Sequence, residues 1–100
     1  MSTSDDFASK VRLRQIADML DELANAEWPP DDWPGMQSRT QTEFDDLRKK
    51  AKQLLGQKDG EELWKKTSPA FTEQSSRLEQ RKAIESAIRE AAEVLRNHAI

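Results

Sequence analysis

SPAFTEQSSRLEQRKAIESAIREAAEVLRNH, residues 68–98, is the stretch whose reading decides the fold. Ser68 stands at an N-cap and Pro69 at the first helical position, where a missing N–H is harmless. No Gly or Pro follows before the end of the stretch. Leu78, Ile84, Ala87, Ile88, Ala91, Ala92 and Leu95 recur at the i, i+3, i+4, i+7 spacing of one helical face. The pattern predicts one helix from Ser68 to His98, on the order of 40 Å long. Its apolar stripe is dense only in the C-terminal half. The N-terminal half, with Thr72, Glu73, Gln74, Ser75 and Ser76, has little to bury and is expected to leave surface uncovered.

Working back toward the N-terminus, Asp59 with Glu62 caps a short helix carrying Leu63 and Trp64 and ending near Thr67. Before it, Ser38 with Gln41 and Thr40 with Glu43 form overlapping capping boxes. Phe44, Leu47, Ala51, Leu54 and Leu55 give the apolar face of that second helix, and Gly56 is its natural C′ residue. Residues 28–36, WPPDDWPGM, make a proline-restricted connection with a turn signal at Pro34-Gly35. A first helix is expected from about Ser4 to Ala26 on Val11, Leu13, Ile16, Ala17, Leu20, Leu23 and Ala24, ending where Trp28 precedes Pro29. The fold class is therefore all-α: a single domain over residues 1–100, built as a small bundle of three long helices and one short one.

Composition narrows the function classes. Hydrophobic residues make up 35% and charged residues another 35%, against about a quarter charged in typical domains. That balance fits a thin core completed by a partner or a second copy. The net charge of -3 favours neither nucleic acid nor membrane. Without Cys there is no disulfide, zinc–thiolate site or thiol nucleophile. The acidic, polar N-terminus is unlike a signal peptide, and no apolar run approaches bilayer length, so a cytoplasmic location is expected. The long helix carries i, i+4 charge pairs, Glu73–Arg77, Arg81–Glu85, Glu85–Arg89 and Arg89–Glu93, which suit a solvated face.

Several groups of residues bear on chemistry. Arg48, Lys49, Lys50 and Lys52, with Lys65 and Lys66 nearby, offer a cationic patch for phosphates or an acidic partner, although Asp45 and Asp46 adjoin it. Ala51, Leu55-Gly56 and Trp64 resemble a helix-turn-helix in outline. The would-be recognition helix nevertheless opens Asp59-Gly60-Glu61-Glu62, which DNA phosphates repel. Asp18, Asp21 and Glu22 on one helix, with Glu43 and Asp46 on the next, are similar in outline to the E-x-x-E and E-x-x-D pairs of all-α nucleotide pyrophosphohydrolases of the MazG type. The resemblance implies Mg²⁺-dependent nucleotide hydrolysis. The chain departs from it in having Asp18/Asp21 for the first pair and in using Glu43 as a capping residue. Trp28, Trp33 and Trp64 either close the end of the bundle or, with Met36 and Phe71, anchor another protein. His98 is the only histidine and sits where a helix dipole favours it.

No nucleophile, base and pocket combine, and no cofactor motif is present, so neither catalysis nor a cofactor is expected. The expectation is a non-enzymatic protein–protein interaction module: a small adaptor, or an antitoxin-like or inhibitor-like protein. It would bind through Trp28, Trp33, Met36 and Phe71, the long C-terminal helix, and Arg48, Lys49, Lys50 and Lys52. Self-association fits the same reading. Nucleic-acid binding through residues 48–66 and Mg²⁺-dependent pyrophosphohydrolysis are the alternatives.

Overall fold

A computed structural model describes residues 3–71 and 76–100 of the chain, without the side chains of residues 3–6, 70 and 71. It is all-α: α1 (Thr3–Asn25), α2 (Trp33–Leu55), α3 (Gln57–Thr67) and α4 (Arg77–His98), with short 3-10 turns at Pro30–Asp32 and Ser68–Phe71. The described part measures 50 × 22 × 18 Å.

The C-terminal helix begins at Arg77 rather than Ser68, and the reason is local. Ser68 has helical φ/ψ of −73°/−33°, so it is not in the extended conformation an N-cap requires. Its hydroxyl instead donates to the Trp64 carbonyl at 2.6 Å, closing the end of α3. Ser76 is extended (φ −62°, ψ 158°), and its hydroxyl accepts from the Glu79 N–H at 3.3 Å. The expected helix through Thr72, Glu73, Gln74 and Ser75, and the Glu73–Arg77 pair, fall outside the described residues. Of the spine positions, Ile84, Ala87, Ile88, Ala91, Ala92 and Leu95 are buried, whereas Leu78 is exposed.

α2 begins five residues before the first expected cap. Pro34 lies in its first turn, where an absent N–H has no carbonyl to meet, so Pro34-Gly35 opens the helix instead of turning the chain. The Ser38 and Thr40 caps are consequently unused: Ser38 lies within the helix, where its carbonyl accepts from the Thr42 hydroxyl, and Thr40 is buried. Gly56 alone separates α2 from α3, at φ 93°, a region that favours glycine. The resulting corner is tight. A Cβ on Gly60 would stand 2.9 Å from the Lys52 Cα, so glycine there lets α3 lie against the end of α2.

α1 and α4 are antiparallel and form the most extensive interface. Arg14 donates to the Ala99 carbonyl at 2.8 Å, and Arg96 reaches Asp18 at 2.9 Å and Asp21 at 2.6 Å. Arg89 donates to the Asn25 side chain, and Arg81 to the Ala26 carbonyl at 2.8 Å. Between these polar links, Leu13, Ala17, Leu20 and Ala24 of α1 join the spine of α4 in one buried cluster with Phe44, Leu47, Ala51 and Leu63.

Candidate functional site

The sequence-derived residues do not come together as one surface. Trp28 is buried at 7% exposure, its ring edge-on to Trp33 with centroids 5.2 Å apart and the Arg81 guanidinium 4.9 Å from its centroid. Trp33 and Met36 are half-buried against the core, and the Met36 sulfur accepts from Arg39 at 3.0 Å. These residues close the bundle where α1 gives way to α2. The Phe71 side chain lies outside the described residues.

The cationic run also divides. Arg48 is 3% exposed and holds the inside of the α2–α3 corner. Its guanidinium lies 4.3 Å from the Phe44 centroid and 3.9 Å from that of Trp64. Nη1 donates to the Thr67 and Ser68 hydroxyls at 3.0 Å each, and Nη2 to Asp45. Arg48 is therefore an internal tie and contributes nothing to a surface patch. Lys49 is exposed, Lys50 pairs with Asp46 at 3.3 Å, Lys52 is half-buried beside Gly60, and Lys66 pairs with Glu90 at 3.3 Å.

The carboxylates separate in the same way. Asp18 and Asp21 are committed to Arg96, whose pKa their hydrogen bonds raise, Asp21 contributing more than Asp18. Glu22, Glu43 and Asp46 lie across a different face. Among the described residues no group of three or more His, Cys, Asp or Glu side chains is placed to hold a metal ion.

The feature that does assemble is a groove between α1 and α2. Because α1 turns its best-packed stripe to α4, a second stripe, Ile16, Met19 and Leu23, continued by Ala26 just past the helix end, faces α2. Across from it stand Leu47 and Leu54. Two adjoining cavities, of about 450 and 360 Å³, meet at Met19, which lines both and is 52% exposed. Both helices present this face at helical spacing: 12, 15, 16, 19, 22 and 23 on α1, with Ala26 one residue past its end, and 43, 46, 47, 50, 53 and 54 on α2. The rim is charged and ordered, with Glu22, Glu43 and Asp46 around one cavity and Arg12 and Lys50 around the other. Among the described residues no ion pair crosses from α1 to α2.

Sequence reasoning missed this face although its signal was present. Periodicity puts Ile16 and Leu23 in one stripe, whereas the apolar arc of the first helix, with Met19 added, is wide enough for two neighbours. No described helix is long and apolar enough to cross a membrane. No known protein family, curated protein or solved structure matches the chain.

Proposed function

We propose that the protein is a non-enzymatic protein–protein interaction module whose docking surface is the α1–α2 groove. One observation carries the reading: Met19, half exposed, sits over a floor of Ile16, Leu23 and Leu47 at the middle of an open, charged-rimmed channel. The seven-residue steps from Arg12 to Met19 and from Met19 to Ala26 make the channel about 21 Å long, enough for four turns of a helix. A helix lying between two others presents i, i+3, i+4, i+7 anchors to such a floor. An apolar centre with a polar rim is also the usual anatomy of protein interfaces. Nucleic-acid binding is the weaker reading, because Arg48 is internal and Lys50 and Lys66 already face carboxylates.

A photo-reactive benzophenone residue in place of Met19, with the same residue in place of exposed Lys58 on α3 as control, tests the proposal in the cell of origin. A discrete protein adduct from position 19 and none from position 58 is the expected result. Equal labelling at both positions, or none at position 19, would overturn it.

A further inference from the structure

Charges are ordered along the groove. Arg12 lies seven residues before Met19, and Ala26, which shares a cavity with Glu43, lies seven residues after it. Each end is thus about 10 Å from Met19 along the helix axis. Arg12, Glu22 and Glu43 form no ion pair among the described residues. Lys50 and Asp46, closer to the middle, are paired with each other and largely cancel. The face is therefore positive at one end, apolar at the centre and negative at the other.

We propose that this groove is closed by the same groove of a second copy of the chain, the two running antiparallel about a two-fold axis that crosses the groove at Met19. The inference rests on the groove being a protein-binding surface and names its occupant. Isologous contacts must be self-complementary. A parallel arrangement brings the like-charged ends together, Arg12 toward the partner's Lys50 and Glu22 toward the partner's Glu43, and is repelled. The antiparallel arrangement sets each Arg12 toward the partner's Glu43 and Glu22, twice over, with Met19 meeting its own symmetry mate. A flexible thioether on the axis accommodates itself to the facing surface. The footprint, about 21 Å by two helix diameters, is on the order of 400 Å² per copy, which belongs to weak, concentration-dependent pairs.

Sedimentation velocity and light scattering from about 1 μM to about 1 mM test this, with circular dichroism confirming that each variant is folded. The mass should rise from 11.5 kDa toward twice that value, with dissociation in the micromolar range or weaker. Met19→Glu, at an exposed position, should weaken association at least about tenfold. Arg12→Glu and the double variant Glu22→Arg/Glu43→Arg should each remain monomeric where the parent chain pairs, since each confronts only like charges. Mixed in equal amounts the two variants should pair, because every contact is then between opposites. A parent chain monomeric throughout, a dimer indifferent to Met19→Glu, or folded reversal variants that fail to pair when mixed would each overturn the proposal. A monomer whose position-19 probe still labels a different protein overturns the second copy while leaving the groove as a docking surface. A monomer with no adduct overturns both.

Discussion

Replacing Arg48 separates an internal tie from a surface cation. In Arg48→Ala, the Phe44 and Trp64 faces lose a cation that each meets at about van der Waals distance, worth about 0.5–2 kcal/mol per face. The charge-assisted bond to Asp45 goes as well, discounted because that carboxylate is one-third exposed and can rehydrate. The Thr67 and Ser68 hydroxyls lose less, because each still donates to a carbonyl, Leu63 and Trp64 respectively. Against these losses stands one gain: the buried Nε, which has no partner, is no longer a cost of about 1–3 kcal/mol. A gap between two rings adds its own penalty. The balance is a loss of about 3 kcal/mol for alanine, or roughly 12–24 °C in Tm for a domain of this size. Arg48→Met fills the slot between the rings and removes the orphaned donor, and should cost only about 1 kcal/mol. Arg48→Lys keeps the charge but loses the planar fork and falls between the two. Urea unfolding followed by circular dichroism and tryptophan fluorescence gives the ranking. Alanine within about 0.5 kcal/mol of the parent, the range of ordinary surface substitutions, or methionine as costly as alanine, would refute the reasoning.

Gly60→Ala should destabilise the chain by about 1–3 kcal/mol, because the new methyl meets Lys52 backbone as well as its movable stem; thermal unfolding at fixed protein concentration checks this, and an unchanged Tm would mean that α3 can shift away from α2. Arg96→Ala removes a half-exposed bridge to Asp18 and Asp21 and should cost no more than about 1 kcal/mol, with the difference shrinking at high salt. Paired urea titrations at low and high ionic strength measure it, and a salt-independent loss would point to packing of the arginine stem instead.

The stripes that make the core were legible because periodicity survives any choice of helix ends. Ile84, Ala87, Ile88, Ala91 and Leu95 are buried where the spacing placed them, as are Leu13, Ala17, Leu20 and Ala24. Boundaries were less legible, because cap residues compete. Ser68-Pro69 reads as a helix start, yet Ser76 caps α4, because the Ser68 hydroxyl and the Arg48 fork finish α3. Pro34 misled for a related reason: proline opens helices as readily as it ends them, and the Pro30–Asp32 turn delivers Trp33 already in helical conformation. The basic run reads as surface in one dimension. Only the α2–α3 corner, made at Gly56, brings Trp64 and Thr67 around Arg48. The groove stayed hidden because a helix that serves two neighbours shows one broad arc instead of two distinct ones.

The arginine links that bind α1 to α4 join residues 55 to 85 positions apart. Such links close a large loop, and loop closure slows folding. On the ribosome, α2 and α3 can dock as soon as both have emerged, since only Gly56 lies between them. The first helix can meet α2 early along only one stripe, that of Ile16, Met19 and Leu23. Its better-packed stripe, Leu13, Ala17, Leu20 and Ala24, must wait for the last helix to be synthesised, and over that interval the nascent chain carries an unshielded strip that a chaperone is suited to hold.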